Sequence, residues 1–207
     1  MSGHKHLWQY TCIALLFLVV PEKGIDAADW GHWNGPHRNG TTPETSGWNG
    51  KDWLRDKPAW RGTVGDGGTT PLVVGDRLYT MGWENDKDTV YCLHAHTGKR
   101  IWEKSYPCPP HGRHARGDQG WYKGVTSTPA YDKDTGLLYT LSCDGDLICW
   151  RAENGQRRWH KNLYKTYKVG QRPGNRDYGY TSSPLVLGDS VVVEVGAKEA
   201  GRLREDG

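Results

Sequence analysis

The sequence predicts an all-β fold, a partial β-propeller built from blades of four antiparallel strands, with about two complete blades and a begun third. Three observations carry that prediction. A segment recurs, opening at Pro71, Pro129 and Pro184, which stand 58 and 55 residues apart. Each of the first two copies reads as four short strands separated by turn dipeptides, and self-similarity at such a period marks a repeat architecture. The composition agrees. Of 207 residues only 35% are hydrophobic, with 28 Gly, 11 Pro, 11 Trp and 11 Tyr against one Phe and two Met. Helical bundles draw on Leu, Ala and Met, whereas aromatics and frequent turns suit short strands.

The elements follow in order. In the first copy the strands are expected at about 71–74, 77–82, 89–95 and 100–106, and in the second at about 128–131, 137–143, 146–151 and 156–162. Gly75-Asp76, Thr97-Gly98, Asp144-Gly145 and Asn154-Gly155 supply the turns, since Asp-Gly and Asn-Gly tolerate the positive φ of tight hairpins. Val90 and Cys92, like Leu147 and Cys149, alternate with their neighbours as half-buried strands do. Trp102 and Trp159 close the fourth strands, 57 residues apart, and each is expected to dock on the neighbouring blade. Trp60, in Pro58-Ala59-Trp60-Arg61-Gly62, reads as a fourth strand with no blade of its own. Nothing from residue 30 onward shows helical periodicity, and from Gly196 to Gly207 the repeat pattern is lost where a third strand is due. A fragment or an altered gene end is the expectation for that segment.

Residues 1–28 read as an export signal. Lys5 gives a basic start, Cys12 to Val20 is a nine-residue apolar run, and Ala27 and Ala28 offer small-residue cleavage chemistry. Nine residues are too few to cross a bilayer, which takes about 20. Residues 29–57 form a Trp-rich lead-in, and 58–207 the propeller, with blades at about 69–106, 127–163 and 182–207, the last incomplete. The expected location is periplasmic or extracellular, with no transmembrane segment. A net charge of +3 is too small to argue for a nucleic-acid partner.

Export would permit disulfides among Cys92, Cys108, Cys143 and Cys149. Cys92 and Cys149 are 57 residues apart, the same repeat position, which suits small core residues better than partners. A two-residue turn at Asp144-Gly145 would set Cys143 opposite Asp146, and only a longer loop would bring it opposite Cys149.

The blade ends Ala95-His96-Thr97-Gly98-Lys99-Arg100-Ile101-Trp102 and Ala152-Glu153-Asn154-Gly155-Gln156-Arg157-Arg158-Trp159 resemble the Ala-x-Thr-Gly-Lys-x-x-Trp docking motif of the pyrroloquinoline-quinone-like (PQQ-like) β-propeller repeat family. Trp30-Gly31-His32-Trp33-Asn34-Gly35-Pro36-His37-Arg38-Asn39-Gly40 is similar to the Trp-x-x-Trp-Arg-Gly-Pro-x-Arg-x-Gly opening of exported members, with Asn34 in place of Arg. Tyr178 to Val186 is similar to the lead-in of a family blade. The resemblance implies the propeller fold, with Gly98, Trp102, Gly155, Trp159 and Trp60 as structural repeat residues. On activity it divides, because the family holds quinoprotein alcohol dehydrogenases and non-enzymatic scaffolds. The dehydrogenases use the quinone, Ca²⁺, a catalytic Asp and an adjacent-Cys disulfide. No adjacent Cys pair occurs here, and no Asp or Glu can be matched to their calcium or base positions.

The two long connections between blades are the candidate ligand face. One carries His111, Arg113, His114, Arg116, Trp121, Tyr122 and Lys123, and the other Tyr167, Lys168, Arg172, Arg176 and Tyr178. Both leave a fourth strand and enter a first strand, so repeat equivalence places them on one face. Cations interleaved with aromatic rings suit an acidic or sugar-like ligand. His111 and His114 lack a third metal ligand. Asp144-Gly145-Asp146 is too short to give calcium its usual ~6–8 oxygens and reads as a turn. No nucleophile elbow, phosphate loop or dinucleotide fingerprint is present. The expected function is an exported propeller that binds a protein, carbohydrate or anionic ligand, with no cofactor evident. The alternative is the N-terminal part of a PQQ-dependent alcohol or sugar dehydrogenase, for which PQQ and Ca²⁺ would be required.

Overall fold

Alternating apolar residues in the two complete copies form two four-stranded antiparallel sheets. The computed structural model describes residues 28–45, 50–51, 57–110, 112–117, 123–169, 178–195 and 203–204. The first blade comprises β1 (Leu72–Val74), β2 (Arg77–Glu84), β3 (Lys87–His94) and β4 (Arg100–Pro107), paired in chain order. The second comprises β5 (Ala130–Asp132), β6 (Leu137–Leu141), β7 (Asp146–Arg151) and β8 (Arg157–Asn162), again in chain order. A third sheet joins β9 (Leu185–Leu187), β10 (Ser190–Val192) and β11 (Leu203–Arg204).

The two blades repeat one another residue by residue. Tyr79, Cys92 and Trp102 form a cross-strand row in the first, and Tyr139, Cys149 and Trp159 form it in the second. The Tyr–Trp ring pairs have nearly the same geometry, with centroids 6.1 Å and 5.9 Å apart and interplanar angles of 46° and 43°. The ladder slips by one residue just after Cys92 and just after Cys149, so each third–fourth strand pair carries a bulge at the same place.

Period-two alternation sends each face of the second blade to a different neighbour. Leu138, Ile148 and Trp150 pack with Leu72, Tyr79, Met81, Val90 and Trp102 of the first blade. Ala130, Tyr139 and Cys149 pack with Val186 and Val191 of the third sheet. Cys92 and Cys149 are therefore equivalent core residues, and none of the four cysteines described is in a disulfide.

Between blades the docking is specific. The Trp102 indole donates from Nε1 to the Ala152 carbonyl at 3.0 Å, and the Tyr79 hydroxyl donates to the same oxygen at 3.2 Å. Trp60 makes the equivalent bond one blade earlier, from Nε1 to the Ala95 carbonyl at 2.8 Å. Gly98 and Gly155 lie beneath those rings with φ of +68°. A Cβ on Gly155 would meet the Trp102 ring at 2.8 Å, and one on Gly98 would collide with Trp60. The motif thus supplies a carbonyl acceptor, a bare α-carbon in left-handed conformation, and a Trp for the next corner.

Four expectations are corrected. Residues 58–64 form no strand, and Trp60 reaches its dock from irregular backbone, its anchor being the indole and not a ladder. Among the described residues two single-turn helices occur, α1 (Gly112–Arg116) and α2 (Leu163–Tyr167). Asn162 caps α2 by accepting from the Lys165 amide, and five residues are too few to show periodicity. The β6–β7 loop has three residues, because Leu141 pairs with Leu147 and the Ser142 amide donates to the Asp146 carbonyl. Cys143 therefore stands within that loop, opposite neither Asp146 nor Cys149. The pattern lost after Gly196 returns at Leu203–Arg204, where β11 pairs with Ser190 and Val191.

Candidate functional site: a hydroxyl-lined axial cleft

The first strands β1, β5 and β9 carry the inner edges of the three sheets, and β5 lies against β9. Each is preceded by a hydroxyl residue and a proline: Thr70-Pro71, Thr128-Pro129 and Ser183-Pro184. These hydroxyl residues are linked across the blades. The Thr128 hydroxyl oxygen accepts the Thr70 amide at 3.1 Å, and the Ser183 hydroxyl oxygen accepts the Thr128 amide at 3.0 Å. Each hydroxyl so engaged spends one lone pair on the preceding blade and retains an O–H to donate.

These residues border a cavity of about 530 Å³, with Thr126, Thr181 and Ser182 beside them. The lead-in closes the other side with His32, Trp33 and Arg38, and the Trp33 ring is 58% exposed. Among the described residues no carboxylate lines this cleft. Burial first, and then the Arg38 cation, pull the His32 pKa below its ordinary value, while Asp132 opposes them. The imidazole is then neutral at neutral pH, and Arg38 is the cation of the cleft. Hydroxyl donors, one guanidinium and no anion make a surface for an acceptor-rich occupant.

A second polar cluster is buried between the first two blades. Asp88 on β3 is fully buried, and neither carboxyl oxygen has a hydrogen-bond partner of good geometry. Burial pushes its pKa up to about 7, the Cys108 thiol alongside partly offsetting this, while Asp146 and Asp144 raise it further. Cys143, whose thiol donates to the Gly124 carbonyl, is pushed up to about 12, and Cys108 and Tyr106 are also raised, burial being the first cause in each. The two thiols and the Tyr106 phenol are neutral at neutral pH, where Asp88 is in mid-titration.

The two connections leave their blades at the same end, as the repeat predicts. The Cys108 amide donates to Asp86 in the β2–β3 turn, and the Leu163 amide to Gly145 in the β6–β7 loop. Along them, Arg116 bonds back to the Gly112 carbonyl within α1, and Lys123 is half-buried. Tyr167 and Tyr178 are exposed, and Lys168 caps α2 in left-handed conformation. His111, Trp121, Tyr122, Arg172 and Arg176 lie outside the described residues, as do the side chains of Arg113 and His114. Of the twelve, the five whose side chains are described, Arg116, Lys123, Tyr167, Lys168 and Tyr178, do not line the axial cleft. The cleft residues carry one sequence signal, the Thr or Ser before the proline of every copy, which marks the repeat and does not by itself point to a ligand.

The chain matches known proteins over much of its length. A family described as "PQQ: Glucose/ethanol/alcohol dehydrogenase, beta-propeller domain" matches residues 51–206. The quinohemoprotein alcohol dehydrogenase ADH-IIG of Pseudomonas putida is 32% identical over 132 residues, covering 64% of this chain and 16% of that protein. Subunit 1 of the methanol dehydrogenase of Paracoccus denitrificans is 28% identical over 151 residues, covering 70% of this chain and 22% of that protein. The solved quinohemoprotein alcohol dehydrogenase from Comamonas testosteroni aligns with a TM-score of 0.40 and 27% identity, over 63% of this chain and 17% of that one. The chain thus spans about a fifth or less of the curated length of ADH-IIG, and a similar share of the others. With a match over most of its length and the interlocked four-stranded blades described above, the chain belongs to the PQQ β-propeller family.

Proposed function

We propose that this chain is the ligand-binding part of an exported β-propeller, and that its ligand is a small acceptor-rich molecule, a carboxylate or an activated carbonyl, held in the axial cleft. The observation that carries the reading is the hydroxyl relay. Thr128 and Ser183 are oriented by amides of the preceding blade, which leaves their O–H groups as donors, and Arg38 adds the only cation among the described lining residues. Neutral sugars need acceptors as well as donors, and the relay uses acceptor capacity.

The second reading is a quinone-dependent dehydrogenase, favoured by the activities named for the P. putida and P. denitrificans relatives. The described residues fit the two required groups unequally. The donors and Arg38 suit the carboxylates and carbonyls of a quinone such as PQQ. Calcium finds no ligand set among the described residues: their part of the cleft lining holds no carboxylate, and no cluster of three His, Cys, Asp or Glu among them could hold a metal. Asp88, the buried carboxyl without a partner, sits between blades with thiols about it and is not part of the cleft lining. No step of alcohol oxidation is therefore derived for this chain.

Titration of PQQ into the full chain, with and without Ca²⁺ and followed by tryptophan fluorescence, separates the readings. Binding that saturates equally in both conditions, without alcohol-dependent dye reduction, supports the binding propeller. Binding that requires Ca²⁺, together with dye reduction, would establish the dehydrogenase instead.

A further inference from the structure

The first strand of a blade exposes one backbone edge toward the axis, and open edges invite unwanted pairing. Here all three inner strands meet the lead-in. Trp30 exchanges two backbone bonds with Val73 of β1, its amide donating at 2.6 Å and its carbonyl accepting at 3.1 Å. The next residue, Gly31, accepts the Tyr131 amide of β5 at 2.9 Å. Arg38 then donates from Nη2 to the Val186 carbonyl of β9 at 2.5 Å. Asp29 adds a fourth tie by accepting the Gly75 amide at 2.7 Å.

The lead-in is also folded on itself. Its ends meet where the Ala28 amide donates to Glu44. The Trp30 ring lies against Gly35, which has φ of +77° and where a Cβ would come within 2.6 Å of the ring. Turn bonds from Gly35 to His32, Arg38 to Gly35 and Gly40 to Asn34 hold the loop between Trp30 and Arg38. Every fixed position of the Trp-x-x-Trp-x-Gly-Pro-x-Arg-x-Gly pattern that makes one of these contacts, Trp30, Gly35, Arg38 and Gly40, is thereby given a task. His32 and Arg38 line both the 530 Å³ cleft and a second cavity of about 330 Å³ bordered by Asp132 and Leu187, so they form the wall between the two.

We infer that residues 28–41 are an axial strap, which binds the free inner edges of three successive blades, ties the blades to one another and partitions the axial space into two chambers. The strap is held by backbone and side-chain bonds of the lead-in itself, whatever occupies the cleft.

Hydrogen exchange of the full chain, read by mass spectrometry at the Val73 and Tyr131 amides, tests it. These amides donate to the strap, so the wild-type chain should protect them at least tenfold over unstructured rates. Gly35→Val displaces the Trp30 ring and should remove that protection while Thr80 and Ile148, deep in their sheets, stay protected. It should also speed tryptic cleavage after Arg38 about tenfold. If Gly35→Val unfolds the core as well, Asp29→Ala removes one tie alone and should raise exchange at Val73 a fewfold. Unprotected Val73 and Tyr131 in the wild type, or protection unchanged in a folded variant, would overturn the strap.

Discussion

The indole of Trp102 packs on the α-carbon of Gly155, one blade further along, where a Cβ would stand 2.8 Å from the ring. Gly136 has nearly the same backbone, φ of +69° against +68°, yet nothing lies within 4 Å of the place its Cβ would take. The two glycines separate backbone strain from docking. Gly136→Ala should cost about 1–2 kcal/mol, the left-handed penalty alone. Gly155→Ala should cost about 1–3 kcal/mol more, since the ring must also move. Urea denaturation of both variants checks this, and equal losses would mean that the Trp102 dock is not tight.

Truncating the docked rings gives a second prediction. Trp102→Ala removes a buried ring and leaves the Ala152 carbonyl with the Tyr79 hydroxyl and the more distant Arg77 guanidinium as donors, and should destabilise the chain by about 3–5 kcal/mol. Trp60→Ala should cost less, because Trp60 is only half-buried, but should expose the Ala95 corner to protease. Denaturation midpoints and limited proteolysis report the two effects.

Asp88 predicts a pH dependence of definite sign. Its folded pKa is raised from 3.8 to about 7. Below the unfolded value both states are protonated and the residue costs nothing. Between that value and about pH 7 the unfolded chain releases a proton that the folded chain retains, so stability falls as pH rises, and above about 7 the loss is constant. The wild type should be several kcal/mol more stable at pH 4.5 than at pH 8 from this group, on the order of the shift converted at 1.36 kcal/mol per unit. Asp88→Asn should flatten that slope, and thermal melts across the range measure it. A slope unchanged by the substitution would show that the carboxyl is not desolvated.

Removing a relay hydroxyl should affect stability and binding together. Thr128→Val leaves the Thr70 amide without its acceptor, at a cost of about 1–3 kcal/mol, whereas Thr128→Ser retains the bond. Melting curves for the pair should differ accordingly, and any ligand of the cleft should weaken only in the valine variant.

The fold was largely legible because its signals are local and repeated. Alternation in Val90–Cys92 and Leu147–Cys149, the turn glycines and the paired Trp residues each encode a strand, a corner or a dock within a few positions, and strand limits agreed within a few residues. Trp60 makes its dock from outside any strand, because its contact is made by a side chain and leaves no trace in backbone alternation. The site was far less legible. Thr70, Thr128 and Ser183 come together only when three blades converge, and Arg38 joins them from 148 positions before the carbonyl that it binds. The aromatic and basic connections drew attention by composition, whereas the cleft is built from small hydroxyl residues that look ordinary in a chain.

An axial cleft of hydroxyl donors and Arg38 should take an acceptor-rich anion in preference to a neutral sugar. Calorimetric titration of the full chain with citrate and, separately, with glucose decides this. Citrate should bind at a single site, weaken with salt, bind about tenfold less tightly to Arg38→Ala, and bind better than glucose. Equal binding of the two, or citrate binding untouched by Arg38→Ala, would rule out the cleft as an anion site.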